Sequence, residues 1–135
     1  MGLFSRKPKP DPKIKFEGVE FTFHRTYEWW EFTYRGTEFS SHDLLFELQT
    51  KAELDSILST LETLMPEFKM RVEKGLKEWS ETSLGDGVSY SVDLTNPSKD
   101  GSYSVSWSGG EESWGDMAVD FTIKDHKIID ESWGD

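Results

Sequence analysis

The chain has 135 residues, a net charge of −11, no cysteine, and six Trp, four Tyr and nine Phe. That length suits a single domain burying roughly two thirds of its unfolded surface, and so many large rings argue against disorder away from the ends. Disulfides, thiolate metal sites and cysteine nucleophiles are excluded. No apolar run reaches the about 18 residues of a transmembrane helix, and so acidic a surface repels nucleic acid.

The charge is unevenly spread. Residues 1–15 carry Arg6, Lys7, Lys9, Lys13 and Lys15 against Asp11 alone, a net +4, which leaves −15 for the rest. Lys7-Pro8-Lys9-Pro10-Asp11-Pro12 places a proline at every second position, which favours an extended, non-helical chain. Residues 1–12 are therefore expected to be a basic tail and residues 13–135 one acidic domain. The N-terminus lacks the apolar stretch of a signal peptide. It also fails as a myristoylation signal, because the Ser/Thr such a signal needs falls at Arg6. A cytoplasmic location is the expectation.

From Lys15 to Ser40 apolar residues alternate with polar ones. Val19, Phe21 and Phe23 share one strand face, and Trp30, Phe32 and Tyr34 share the next, with Trp29, Glu31, Thr33 and Arg35 opposite. Tyr34-Arg35-Gly36-Thr37 reads as a tight turn into a short strand near Glu38–Ser40. Thr50 and Glu53 then form a capping-box signature. Leu54, Ile57, Leu58, Leu61, Leu64 and Met65 recur at helical spacing, and Phe68, Val72, Leu76 and Trp79 continue the stripe. Pro66 is expected to end the first helix or to open a second.

After the Gly85-Asp86-Gly87 turn come four more alternating runs: Val88 to Leu94, Ser102 to Ser108, Met117 to Ile123, and about Ile128 to Trp133. Alternation of this kind predicts antiparallel strands with one covered and one wet face. In the last hairpin, a three-residue loop Asp125-His126-Lys127 pairs Ile123 with Ile129 and Val119 with Trp133. An even loop would set Phe121 against Asp130, so the apolar set selects the odd one. The wet face then collects Asp93, Asp120 and Asp130 among serines and threonines. The predicted fold class is α+β. An N-terminal antiparallel β-meander precedes a central helical segment with a break near Pro66, and a C-terminal four-stranded antiparallel β-meander packs on the helices.

Chemistry is less legible. His24, His42 and His126 do not fall at metal-ligand spacing, and no cofactor motif occurs. Asp93 to Gly101 has the composition of a calcium loop without its spacing. Neither a metal nor a cofactor is therefore expected. Glu28 and Glu31 beside Trp29-Trp30 are the best carboxylates for glycosidase chemistry, or for sugar stacking on exposed indoles. Residues 81–135 hold twelve acidic side chains against three basic ones, and the pentapeptide Glu-Ser-Trp-Gly-Asp occurs at 112–116 and again at 131–135. Trp114, ringed by Glu111, Glu112 and Asp116, has the chemistry to meet an Arg or Lys through ion pairing and cation–π contact.

A meander, a helical segment and a second meander in an acidic body resembles small bacterial proteins of unassigned function, some of which act as immunity proteins to secreted toxins. The resemblance lies in architecture and charge, and it implies a binding role. The function expected is a non-enzymatic module that engages a basic protein partner through Glu111, Glu112, Trp114, Asp116, Asp120, Asp130 and Trp29. The alternatives are a carbohydrate- or peptide-binding domain using exposed Trp residues and, more remotely, a carboxylate-based hydrolase.

Overall fold

A computed structural model describes residues 11–16, 18–41, 51–79, 88–94, 101–109 and 117–134, apart from the side chain of Trp79. Among these residues the elements follow in the order β1 (Lys13–Phe16), β2 (Val19–His24), β3 (Trp29–Tyr34), β4 (Thr37–Ser41), α1 (Lys51–Trp79), β5 (Ser89–Asp93), β6 (Tyr103–Ser108), β7 (Ala118–Lys124) and β8 (Lys127–Gly134). The strands form one eight-stranded sheet in sequence order. The mixed class agrees with the alternation and helical spacing, but the subdivision does not. The N-terminal meander has four strands, and the two meanders are halves of one sheet, joined where β4 and β5 pair in parallel. Strands in sequence order pair antiparallel through short turns, whereas a parallel pair needs a long crossover. The stretch between Ser41 and Ser89, which contains α1, is that crossover.

α1 runs unbroken through Pro66, which corrects the expected break. Proline removes one helical hydrogen bond and crowds the preceding turn. Here it sits on the exposed side of the helix, while the buried stripe stays in phase across it: Leu54, Leu61 and Leu64 before, Phe68, Val72 and Leu76 after. Both halves therefore bury the same face against the same sheet, and that burial outweighs the local penalty. The partners come from both meanders: Val19, Phe21, Phe32 and Phe39 from one, Val92, Val105, Trp107, Val119, Phe121 and Ile123 from the other. The helix covers the sheet as a whole, not the C-terminal meander alone. Phe68 packs on the C-terminal half, its ring 5.8 Å from Trp107 and 5.1 Å from Phe121, while Tyr34 on β3 donates to Asp55 of the helix at 2.8 Å.

Two hairpins turn through consecutive left-handed residues, Arg35 and Gly36 at φ 48° and 81°, and Asp125 and His126 at 52° and 63°. Two-residue turns of this kind match the twist of the flanking strands. The second corrects the predicted three-residue loop. Ile123 pairs with Ile128, and Ile129 enters as an extra residue that shifts the register between Ile123 and Thr122. Beyond the bulge Phe121 faces Glu131 and Val119 faces Trp133, the pairs that the apolar alternation selects. Ile129 itself is 56 % exposed.

Among the described residues no helix is long and apolar enough to cross a membrane.

Candidate functional site

Because α1 covers one face, the other face of the sheet has no layer upon it among the described residues. The register lays its side chains in two transverse rows. The first runs Lys13, Thr22, Glu31, Ser40, Asp93, Ser104, Thr122 and Asp130 from β1 to β8. The second runs Thr33, Glu38, Ser91, Ser106, Asp120 and Ser132 from β3 to β8. Small hydroxyl side chains keep both rows low, so the carboxylates stand out from a flat floor.

The two rows meet a cavity of about 660 Å³ over β2 to β6. Glu20, Glu31, Glu38 and Asp93 supply its carboxylates, Trp29 its indole, and Thr22, Thr33, Ser40, Ser91 and Ser106 its hydroxyls, and neither Lys nor Arg lines it. At its rim the Trp29 N–H donates to Glu31 Oε1 at 2.7 Å, and the Trp29 ring stacks on Tyr27 with centroids 4.7 Å apart. Tyr27 in turn lies 4.5 Å from the His24 ring. The result is an aromatic shelf beside four carboxylates, a chemistry suited to a guanidinium or ammonium group, through charge on one side and cation–π contact on the other.

Of the residues singled out in the sequence, Trp29 lies in this cavity, and Asp120 and Asp130 lie farther along the same face. Asp120 accepts from the Ser106 hydroxyl, which ties it to the cavity's border. Four strand spacings of about 4.8 Å separate β3 from β7, so Trp29 and Asp120 are not one cluster. Glu111, Glu112, Trp114 and Asp116 lie outside the described residues, as do the turn at Gly85 to Gly87, Thr50, His42 and most of the stretch from Asp93 to Gly101. Glu20 and Glu38 were missed. The available signal was their alternation with Val19, Phe21 and Phe39, but nothing local brings β5 and its Asp93 beside them.

The second Glu-Ser-Trp-Gly-Asp copy faces the other way. Glu131 and Trp133 lie on the helix side of β8, where Arg71 bridges Glu67 at 2.8 Å and Glu131 at 3.3 Å. The Trp133 N–H donates to Glu131 Oε2 at 2.8 Å. The indole fills the space over Gly75, where an added Cβ would come within 2.7 Å of Cη2. This copy clasps the edge strand to the helix.

Two further groups on the helix side have displaced acidities. Tyr34 donates to Asp55 at 2.8 Å, and this bond first, then burial, holds its hydroxyl above the ordinary value. Burial raises Tyr103 to about 12. Near it Thr60 Oγ1 lies 2.6 Å from His126 Nδ1, joining the last hairpin to α1. Among the described residues no group of three or more His, Asp or Glu side chains is arranged to hold a metal.

No protein-family model, curated protein or solved structure matches this chain.

Proposed function

We propose that the uncovered face of the sheet binds a basic protein, with the cavity over β2 to β6 receiving an Arg or Lys side chain of the partner. In its sharpest form the protein is an inhibitor of the immunity type, masking a cationic site by covering it. The observation that carries this reading is the lining itself: Glu20, Glu31, Glu38 and Asp93 with Trp29 and no Lys or Arg. An excess charge of this sign speeds encounter with a cationic partner and sets orientation.

The test compares wild type with a Glu31→Lys/Glu38→Lys double variant. Each is immobilised, exposed to source-cell lysate at low salt and eluted with a salt gradient. A basic protein retained by wild type and lost from the variant supports the proposal. Equal retention by both removes the face from consideration.

The stacked Tyr27–Trp29 pair favours a second reading, carbohydrate binding. Under it, ligand quenches tryptophan fluorescence with little dependence on salt, because stacking on an indole involves no ion release.

A further inference from the structure

We infer that the basic N-terminal tail is an internal ligand of the acidic face, occupying the cavity over β2 to β6 until a partner displaces it. The inference rests on the proposed binding role of that face and supplies its regulation.

Three observations converge. The first is where the tail leaves the fold. The Pro12 carbonyl accepts from the Phe23 N–H at 2.8 Å, and Asp11 approaches Arg25 at 3.9 Å. These anchors set residue 11 beside the β2–β3 connection, which carries Tyr27 and leads into Trp29 at the cavity rim. The second is charge. Residues 1–10 contain Arg6, Lys7 and Lys9 and no acid, whereas four carboxylates and no cation line the cavity. Lys13 already reaches Glu20 at 3.4 Å, so the first lysine of the described chain engages this same face.

The third is reach. Five peptide steps lead from Arg6 to Asp11, about 16 Å of extended chain, and alternate prolines favour an extended course. Two or three strand spacings of about 4.8 Å separate β1 from Glu31 on β3 and Glu38 on β4. Lys9, Lys7 and Arg6 are thus spaced to cross the first transverse row. Tethering holds them near it at an effective concentration of about millimolar, enough for weak ion pairs to matter.

The chain has no cysteine, so Ser5→Cys in the 135-residue chain takes a single nitroxide label. Amide resonances of the ¹⁵N-labelled, spin-labelled chain at low salt are the readout. The expected result is selective loss of intensity at Thr33, Ser40 and Ser91, with the helix amides of Lys69 and Glu73 spared. Intensity should return in the Arg6→Ala/Lys7→Ala/Lys9→Ala background, and also at about 1 M salt, where the screening length falls to about 3 Å. An even pattern, or loss that persists when the three cations are removed, overturns the inference. Loss seen only when ¹⁵N-labelled and spin-labelled chains are separate molecules also overturns it, because the occupant is then a second copy. No partner is needed for the readout. Docking of the tail without a partner would fail only the proposed function, and partner capture without tail docking would fail only this inference.

Discussion

Gly75 is where a single atom decides most. In a helix interior, alanine is favoured over glycine by about 1 kcal/mol, and α1 by itself would gain from the exchange. The Trp133 indole occupies the place of the missing Cβ, and overpacking of this kind costs about 1–3 kcal/mol. Gly75→Ala should therefore destabilise the protein by about 1–2 kcal/mol, as read by urea denaturation. In a Trp133→Ala background the same exchange should become neutral or stabilising, and a cycle without that change of sign would mean the indole does not rest there. Tyr103 offers a test by pH. Its folded-state value of about 12 lies above the ordinary tyrosine value of 10.0, so folding favours the neutral hydroxyl. The associated stability is present in full below pH 10 and is lost as pH rises towards 12. A tyrosinate absorbance titration should show a last ionisation near pH 12 that Tyr103→Phe removes. Neither position is conspicuous in the sequence, because a helical glycine and a strand tyrosine acquire their meaning from what packs on them.

Strands and helix were legible where one face is buried, since a period of two or of 3.6 is what such a face imposes. The failures are local rules overruled by packing. Pro66 punctuates a sequence but does not break α1, because Leu61 and Phe68 pull both flanks onto the same sheet. Pro66→Ala should raise stability by about 1–3 kcal/mol, several degrees in melting temperature. A loss instead would show that the helix needs a proline-induced bend to follow the sheet. In the last hairpin the apolar pattern specified the pairs far from the turn and misjudged the turn itself. A two-residue turn with a bulge at Ile129 meets the same requirement as a three-residue loop. Deleting Ile129 leaves every other pair in register, so stability should change by less than about 1 kcal/mol. The regular edge strand left behind should self-associate more readily, a shift that sedimentation would reveal, because bulges guard sheet edges against such pairing.

An acidic body with one covered face sets its charge against itself. Raising ionic strength from about 0.01 to 0.15 M shortens the screening length from about 30 to 8 Å. The melting temperature should rise over this range, since repulsion among like charges outweighs exposed ion pairs such as Lys77–Glu73 and Lys13–Glu20. A fall would assign a larger share of the stability to those pairs. Part of the candidate site could be anticipated at this level: Trp29, Glu31 and Asp93 belong to wet strand faces by alternation alone. The company that Asp93 keeps with Glu31 and Glu38 could not, because it depends on the parallel seam between β4 and β5, formed by residues about 50 positions apart. Sequence alone determined the alternation, the helical stripe, the unequal charge of tail and body, and the register that sends Trp133 inward. These are local periodicities and counts, written along the chain at short range. Tertiary structure alone decided that two meanders make one sheet, that one helix spans both, and that four carboxylates share a cavity. The reason is that a parallel join through a crossover has no local signal: it forms only when the helix finds both apolar faces and buries them together.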